Sequence, residues 1–167
     1  MSLPQFLFFC GFTVVAVAII AFSVVVFRGA MADDGGPFPS RALLVRLTRP
    51  GRERAELQRW AFYVHRISGV ALFAFLCLHV ADVSLYVVSH ELYNEVHQVY
   101  GTTPMRVAEV GLLFGLLFHT FNGLRLVAVD VADLGLTAST RVLYGVVSAT
   151  VVAGGIGSIF IMGPVIV

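Results

Sequence analysis

Four stretches of this chain run the length of a bilayer crossing with few or no charges, and that pattern constrains the fold more than any single motif. Residues 5–27 and 142–167 hold no charged residue over twenty-three and twenty-six positions. Residues 62–88 carry His65, Arg66, His79 and Asp82, and residues 107–129 carry Glu109, His119 and Arg125. A membrane helix needs roughly 20 apolar residues, so the sequence predicts an all-α integral membrane bundle of four transmembrane helices. Composition agrees, with 58% hydrophobic and 13% charged residues, against roughly 45–50% and about 25% in soluble domains. The longest polar interval, residues 28–60, falls short of the roughly 50 residues of a small domain. An internal flavin, nucleotide or protease domain is thereby excluded, and any enzymatic chemistry lies in the membrane or on another subunit. The predicted organisation is an N-terminal transmembrane helix over 1–28, an Arg-rich loop over 29–60 and a three-helix unit over 61–167.

The apolar run before Ala30-Met31-Ala32 superficially suits a secretion signal. It lacks a basic residue ahead of it and exceeds the 7–15 residues of a signal core, so a retained transmembrane helix is expected. All eleven basic residues are Arg and the net charge is +1, a balance that gives no reason to expect a nucleic-acid partner. Distribution matters more than the total. Seven arginines (28, 41, 46, 49, 52, 54 and 59) lie between the first two spans, whereas only Arg106 lies between the second and third. Arginine counting places the first loop in the cytoplasm. The expected location is therefore the cell (cytoplasmic) membrane, with both termini outside. Trp60 and Tyr63 read as an inner aromatic belt and Tyr86, Tyr93 and Tyr100 as an outer one. Cys10 and Cys77 sit in apolar runs and read as small buried hydrophobes.

Asp33 to Ser40 carries turn chemistry. Arg41 to Arg59 mixes leucines with charges and suits either a lipid-facing basic loop or a docking surface for a soluble partner. Ser89 to Tyr100 reads as a short surface helix with Leu92, Val96 and Val99 on one face and His90 and His97 exposed.

Ionisable residues at membrane depth are costly and mark a bundle interior, a cofactor or a pathway, which directs attention to the middle spans. His79 follows His65 by fourteen residues, roughly 21 Å along a helix, and so lies in the outer half, whereas His119 lies in the inner half. Gly111, Gly115, His119 and Gly123 recur every fourth residue. Small residues one turn either side of a histidine give room for a flat macrocycle; the same spacing also marks tight helix packing, as Ala149, Ala153 and Gly157 illustrate. Arg66 and Arg125, towards the cytoplasmic helix ends, suit anionic partners such as haem propionates or simple snorkelling. Asp82 shares a face with His79 and suits an acceptor orienting that imidazole or a proton carrier.

The order His65-Arg66-Ile67-Ser68-Gly69, then His119-Thr120-Phe121-Asn122-Gly123-Leu124-Arg125 and later Asp130, resembles the cytochrome b membrane-anchor subunit of succinate dehydrogenase over the last hundred or so residues. The added Leu78-His79-Val80-Ala81-Asp82 resembles the branch that carries two b haems and works with menaquinone. Several expectations follow from that resemblance. His119 would ligate the inner haem and His79 the outer one. His65 and Arg66 would lie near the inner propionates and quinone pocket, with Ser68 in the same motif; by their spacing and charge, Gly115, Gly123 and Arg125 are expected to complete the cofactor surroundings. The implied partners are a second membrane-anchor subunit, an iron–sulfur subunit, a flavoprotein subunit, quinone and the lipid bilayer. Phe62 and Leu126 depart from the family's polar residue and histidine at those places. The first transmembrane helix has no counterpart in the usual three-span anchor, and is expected to cover one flank of the bundle.

If Arg66 and Arg125 mark one depth, His79 and His119 differ in level by roughly 10 Å, more than a helix tilt of about 20° absorbs. Two different haems are therefore expected, shared with the second anchor, with His65 too close to the interface and His90 and His97 too far out to serve as further ligands. The rival readings are a haem-free structural anchor and a b-type cytochrome subunit of another quinone-linked oxidoreductase.

Overall fold

The computed structural model describes residues 2–32 and 52–166. Helix α1 spans Leu3–Ala32, α2 spans Arg52–Val88, the short α3 spans His90–His97, α4 spans Thr103–Val131 and α5 spans Leu136–Ile166, with a 3-10 turn over Gln98–Gly101. Among the described residues there is no strand. Four segments, Leu3–Arg28, Leu57–Val88, Thr103–Val131 and Leu136–Gly163, are long and apolar enough to cross a membrane. The chain is a multi-pass, all-α membrane protein, as its charge-free stretches require.

The boundaries differ from expectation at the polar segment. Helix α1 continues to Ala32 and α2 begins at Arg52, so both ends of the expected loop 29–60 are helical. After Gly51 the chain reads Arg-Glu-Arg-Ala-Glu-Leu-Gln, all strong helix formers, and the helix has no local reason to stop before the apolar span. The turn chemistry at Asp33 to Ser40, and the arginines at 41, 46 and 49, lie outside the described residues.

Local chemistry sets the remaining ends. Ser89 is extended and its side chain accepts from the Leu92 N–H at 3.3 Å, capping α3. Val96 and Val99 are buried while His90 and His97 stay exposed, as their spacing predicts. Pro104 sits in the first turn of α4, where its missing N–H costs nothing. At the other end Asp133 adopts φ 46° and the Leu134 N–H reaches the Val129 carbonyl at 3.1 Å. This left-handed residue just past the helix end satisfies a terminal carbonyl and reverses the chain into α5, and aspartate is among the few non-glycine residues that enter that region readily.

Helices α4 and α5 form a close antiparallel hairpin. A Cβ added at Gly154 would lie 2.5 Å from Phe114 Cε1, and one at Gly157 would lie 2.6 Å from Leu113 Cδ2. The face of α5 turned inward carries Leu143, Val146, Thr150 and Gly154. Of the expected stripe of Ala149, Ala153 and Gly157, Gly157 packs against Leu113, whereas Ala149 is exposed and Ala153 half-buried; the buried positions Thr150 and Gly154 lie one residue on, or about 100° of helix. Helix α1 lies antiparallel along α2 and reaches α3. Phe27 packs on Trp60 at 5.2 Å and Phe8 on Tyr100 at 5.7 Å, and Gln5 Nε2 donates to the Glu95 carbonyl at 3.0 Å. The extra helix does cover a flank of the bundle. Outward surfaces are apolar, with Phe73, Leu76, Val80, Leu116, Val152 and Phe160 all exposed, as lipid requires of a surface it solvates.

Candidate functional site

The antiparallel pairing of α2 with α4 brings two sequence motifs face to face. The imidazoles of His65 and His119 stack with centroids 4.0 Å apart and planes 4° from parallel. His119 Nδ1 lies 3.0 Å from the His65 carbonyl and 3.2 Å from Ser68 Oγ, and that hydroxyl donates to the same carbonyl at 2.9 Å. A carbonyl can only accept, so Nδ1 carries a proton, and in the neutral ring Nε2 then keeps its lone pair. His65 was placed at the interface and His119 deeper; the structure sets the two motifs at one level.

The glycines explain how close the helices come. A Cβ at Gly69 would sit 2.8 Å from His119 Cε1, and one at Gly123 would sit 3.4 Å from His65 Cε1, while the Gly115 position looks onto the Ser68 Cβ at 4.0 Å. Gly123 thus lies against the His65 ring, Gly115 meets Ser68 only at ordinary contact distance, and Gly111 has no neighbour within 4 Å among the described residues. His65 Nδ1 is buried and has no hydrogen-bond partner among the described residues.

Arg125 departs from expectation. It is 4% exposed. Its Nε donates to the Ser139 carbonyl at 3.2 Å, Nη1 to Asn122 Oδ1 at 3.1 Å, and Nη2 to Ser139 Oγ at 2.6 Å and to Gln58 Oε1. Gln58 Nε2 in turn donates to Thr140 Oγ1 at 3.2 Å. The guanidinium does not snorkel; it ties α2, α4 and α5 together. It also overturns the assumption that Arg66 and Arg125 share a depth, since Gln58 precedes Arg66 by eight residues, about 12 Å of helix. His119 lies between the levels of His65 and Gly69, hence roughly 15–21 Å from His79 along α2 rather than about 10 Å.

Arg66 is exposed, its guanidinium 5.3 Å from the Phe62 ring centroid. Phe62, where a polar residue was anticipated, thus supports the arginine as a cation–π partner. At the other end of α2, His79 is exposed and stacks on Phe75 at 5.7 Å. Asp82 does not orient it. That carboxylate is 3% exposed, its Oδ1 has no hydrogen-bond partner among the described residues, and it neighbours Tyr100, whose phenol is pushed above its ordinary value by burial first and by Asp82 next.

Sequence reasoning missed Gln58, Asn122 and Ser139 as members of the Arg125 network, and Gly69 as the wall against His119. Asn122, wholly buried, was marked by being an amide in the middle of an apolar span; Gln58 and Ser139, polar residues near helix ends, carried no distinguishing signal.

The sequence of this region matches known proteins. The family described as succinate dehydrogenase/fumarate reductase transmembrane subunit matches residues 46–157. The chain is similar to the succinate dehydrogenase 2 membrane subunit SdhC of Mycobacterium tuberculosis, 39% identical over 84 residues, covering 49% of this chain and 62% of that protein. It is also similar to the succinate dehydrogenase hydrophobic membrane anchor subunit of Halobacterium salinarum, 33% identical over 86 residues, covering 51% of this chain and 65% of that protein. The chain thus spans less than two thirds of the length of each of these relatives. No solved structure matches it.

Proposed function

The chain belongs to the succinate dehydrogenase/fumarate reductase transmembrane subunit family, and on that premise we propose that it is the cytochrome b membrane anchor of a succinate dehydrogenase, passing electrons between an iron–sulfur subunit and membrane quinone. The observation that carries this reading is His119. With Nδ1 committed to the His65 carbonyl and Ser68, the ring is oriented and its Nε2 lone pair is reserved, which is how a ligating imidazole is prepared. Stacking covers a face of the ring and leaves its plane, where a metal binds, to the edge atoms.

A haem b held through His119 would supply one-electron transfer in the inner half of the bundle, and a second held through His79 would do so in the outer half. His65 Nδ1, buried without a partner, and the exposed guanidinium of Arg66 suit propionate or quinone oxygens. His65, stacked in parallel on His119 at 4.0 Å, would orient and cover that ring rather than hold the iron with it. Any further ligand would come from a second anchor subunit, and the exposed apolar face around His79 is where such a subunit would lie. The two widely separated histidines favour the two-haem, menaquinone-linked arrangement. Dicarboxylate chemistry belongs to the flavoprotein subunit behind the iron–sulfur subunit, docked on the arginine-rich cytoplasmic side with both termini of this chain outside.

One observation favours a second reading, a haem-free anchor: the space beside Gly69 and Gly123 is used by His119 and His65 of this chain itself. A reduced-minus-oxidised visible spectrum of the purified complex separates the two. The anchor-cytochrome reading expects b-type bands with two haems per copy of this chain; a featureless difference spectrum leaves the haem-free anchor.

A further inference from the structure

We infer that Ser68, acting with the main-chain carbonyl of His65, is the positioning residue that fixes the tautomer and orientation of His119. The inference rests on the haem reading above and deepens it. Three atoms form a closed triangle: Ser68 Oγ to the His65 carbonyl at 2.9 Å, His119 Nδ1 to that carbonyl at 3.0 Å, and His119 Nδ1 to Ser68 Oγ at 3.2 Å. The hydroxyl hydrogen is spent on the carbonyl, so the hydroxyl meets the ring with a lone pair. Both partners of Nδ1 are therefore acceptors, and one N–H satisfies them together.

Turning the imidazole over would set a C–H against two buried acceptors, and moving the proton to Nε2 would set lone pairs against lone pairs. Neither arrangement is tolerated where water is absent. Ser68 is held in place for this task. It is buried, its Cβ faces the bare backbone of Gly115, and its hydroxyl is anchored one turn back on its own helix. Gly69 completes the seat from the next position, since its missing Cβ would strike His119 Cε1 at 2.8 Å. The adjacent pair Ser68-Gly69 thus gives His119 an acceptor on one side and clearance on the other. An acceptor on the remote N–H also makes Nε2 a stronger donor, which raises ligand basicity and favours the ferric state.

The test compares wild type, Ser68→Ala, Ser68→Thr, Gly69→Ala and His119→Ala in the assembled complex, refilled with haem after haem depletion. Ser68→Ala is expected to weaken haem binding at the His119 site by roughly 10–100-fold, the usual effect of losing a ligand's supporting partner, and to move the midpoint potential of that haem in the positive direction. Ser68→Thr, which keeps the hydroxyl, restores both. Gly69→Ala weakens binding with the hydroxyl intact, by displacing the ring. Wild-type affinity and potential in Ser68→Ala, alongside loss of one haem in His119→Ala, overturn the positioning role and leave the haem reading standing. Full haem content in His119→Ala overturns the haem reading and this inference with it.

Discussion

Arg125 shows how a residue's role is set by what its helix faces rather than by its position in a motif. The sequence marked it correctly as an ionisable group at membrane depth, but its partners come from three helices, and the antiparallel register that supplies Gln58 and Ser139 is invisible along one strand of sequence. Replacing Arg125 by Ala leaves Asn122 and Ser139 with buried polar atoms that have lost their donor, so a destabilisation of about 2–3 kcal/mol is expected. Thermal inactivation of the purified complex in detergent measures it. Arg125→Lys should recover little, because an ammonium lacks the planar fork that reaches several acceptors at once; full recovery would show that charge alone matters. His119 and His79 were legible as candidates because histidine is conspicuous in apolar runs. The contact between His65 and His119 was not, since it required knowing which levels of two helices coincide.

At the scale of helices, what was legible is what length and charge dictate. Four spans, the surface helix after Ser89 and its exposed His90 and His97 all follow from periodicity and from the cost of burying charge. Ends and faces were less legible. Helix α2 starts at Arg52 because helix formers run unbroken into the apolar segment, and the inward face of α5 differs from the expected one by a single residue, within reach of either small-residue pattern. The contact of Gly154 with Phe114 makes a sharp expectation. Gly154→Leu should cost about 1–3 kcal/mol through overpacking, seen as a lower temperature midpoint for complex dissociation. Adding Phe114→Ala should return part of that loss. If the double variant is no more stable than the single one, the hairpin is not packed through this pair.

Taken whole, the chain is a four-span bundle, and the proposed assignment of an inner and an outer haem depends on the orientation that arginine counting predicts. In a background with Cys10 and Cys77 replaced by Ser, Pro39→Cys should react with a membrane-impermeant thiol reagent only in inverted vesicles. Reaction in intact cells would reverse the bundle in the membrane. In the proposed function orientation would decide which haem receives electrons first, whereas the separation of the two histidines does not depend on it. That separation is the central claim: His119 sits beside His65 and Gly69, ten to fourteen residues before His79 on α2, or roughly 15–21 Å. One macrocycle cannot be ligated from both places. The most direct measurement is the haem content and difference spectrum of the complex carrying His119→Ala or His79→Ala. The account predicts two haems per wild-type copy, with each variant losing one and the two variants retaining spectrally distinct survivors. A single haem in the wild type that disappears in both variants would contradict it.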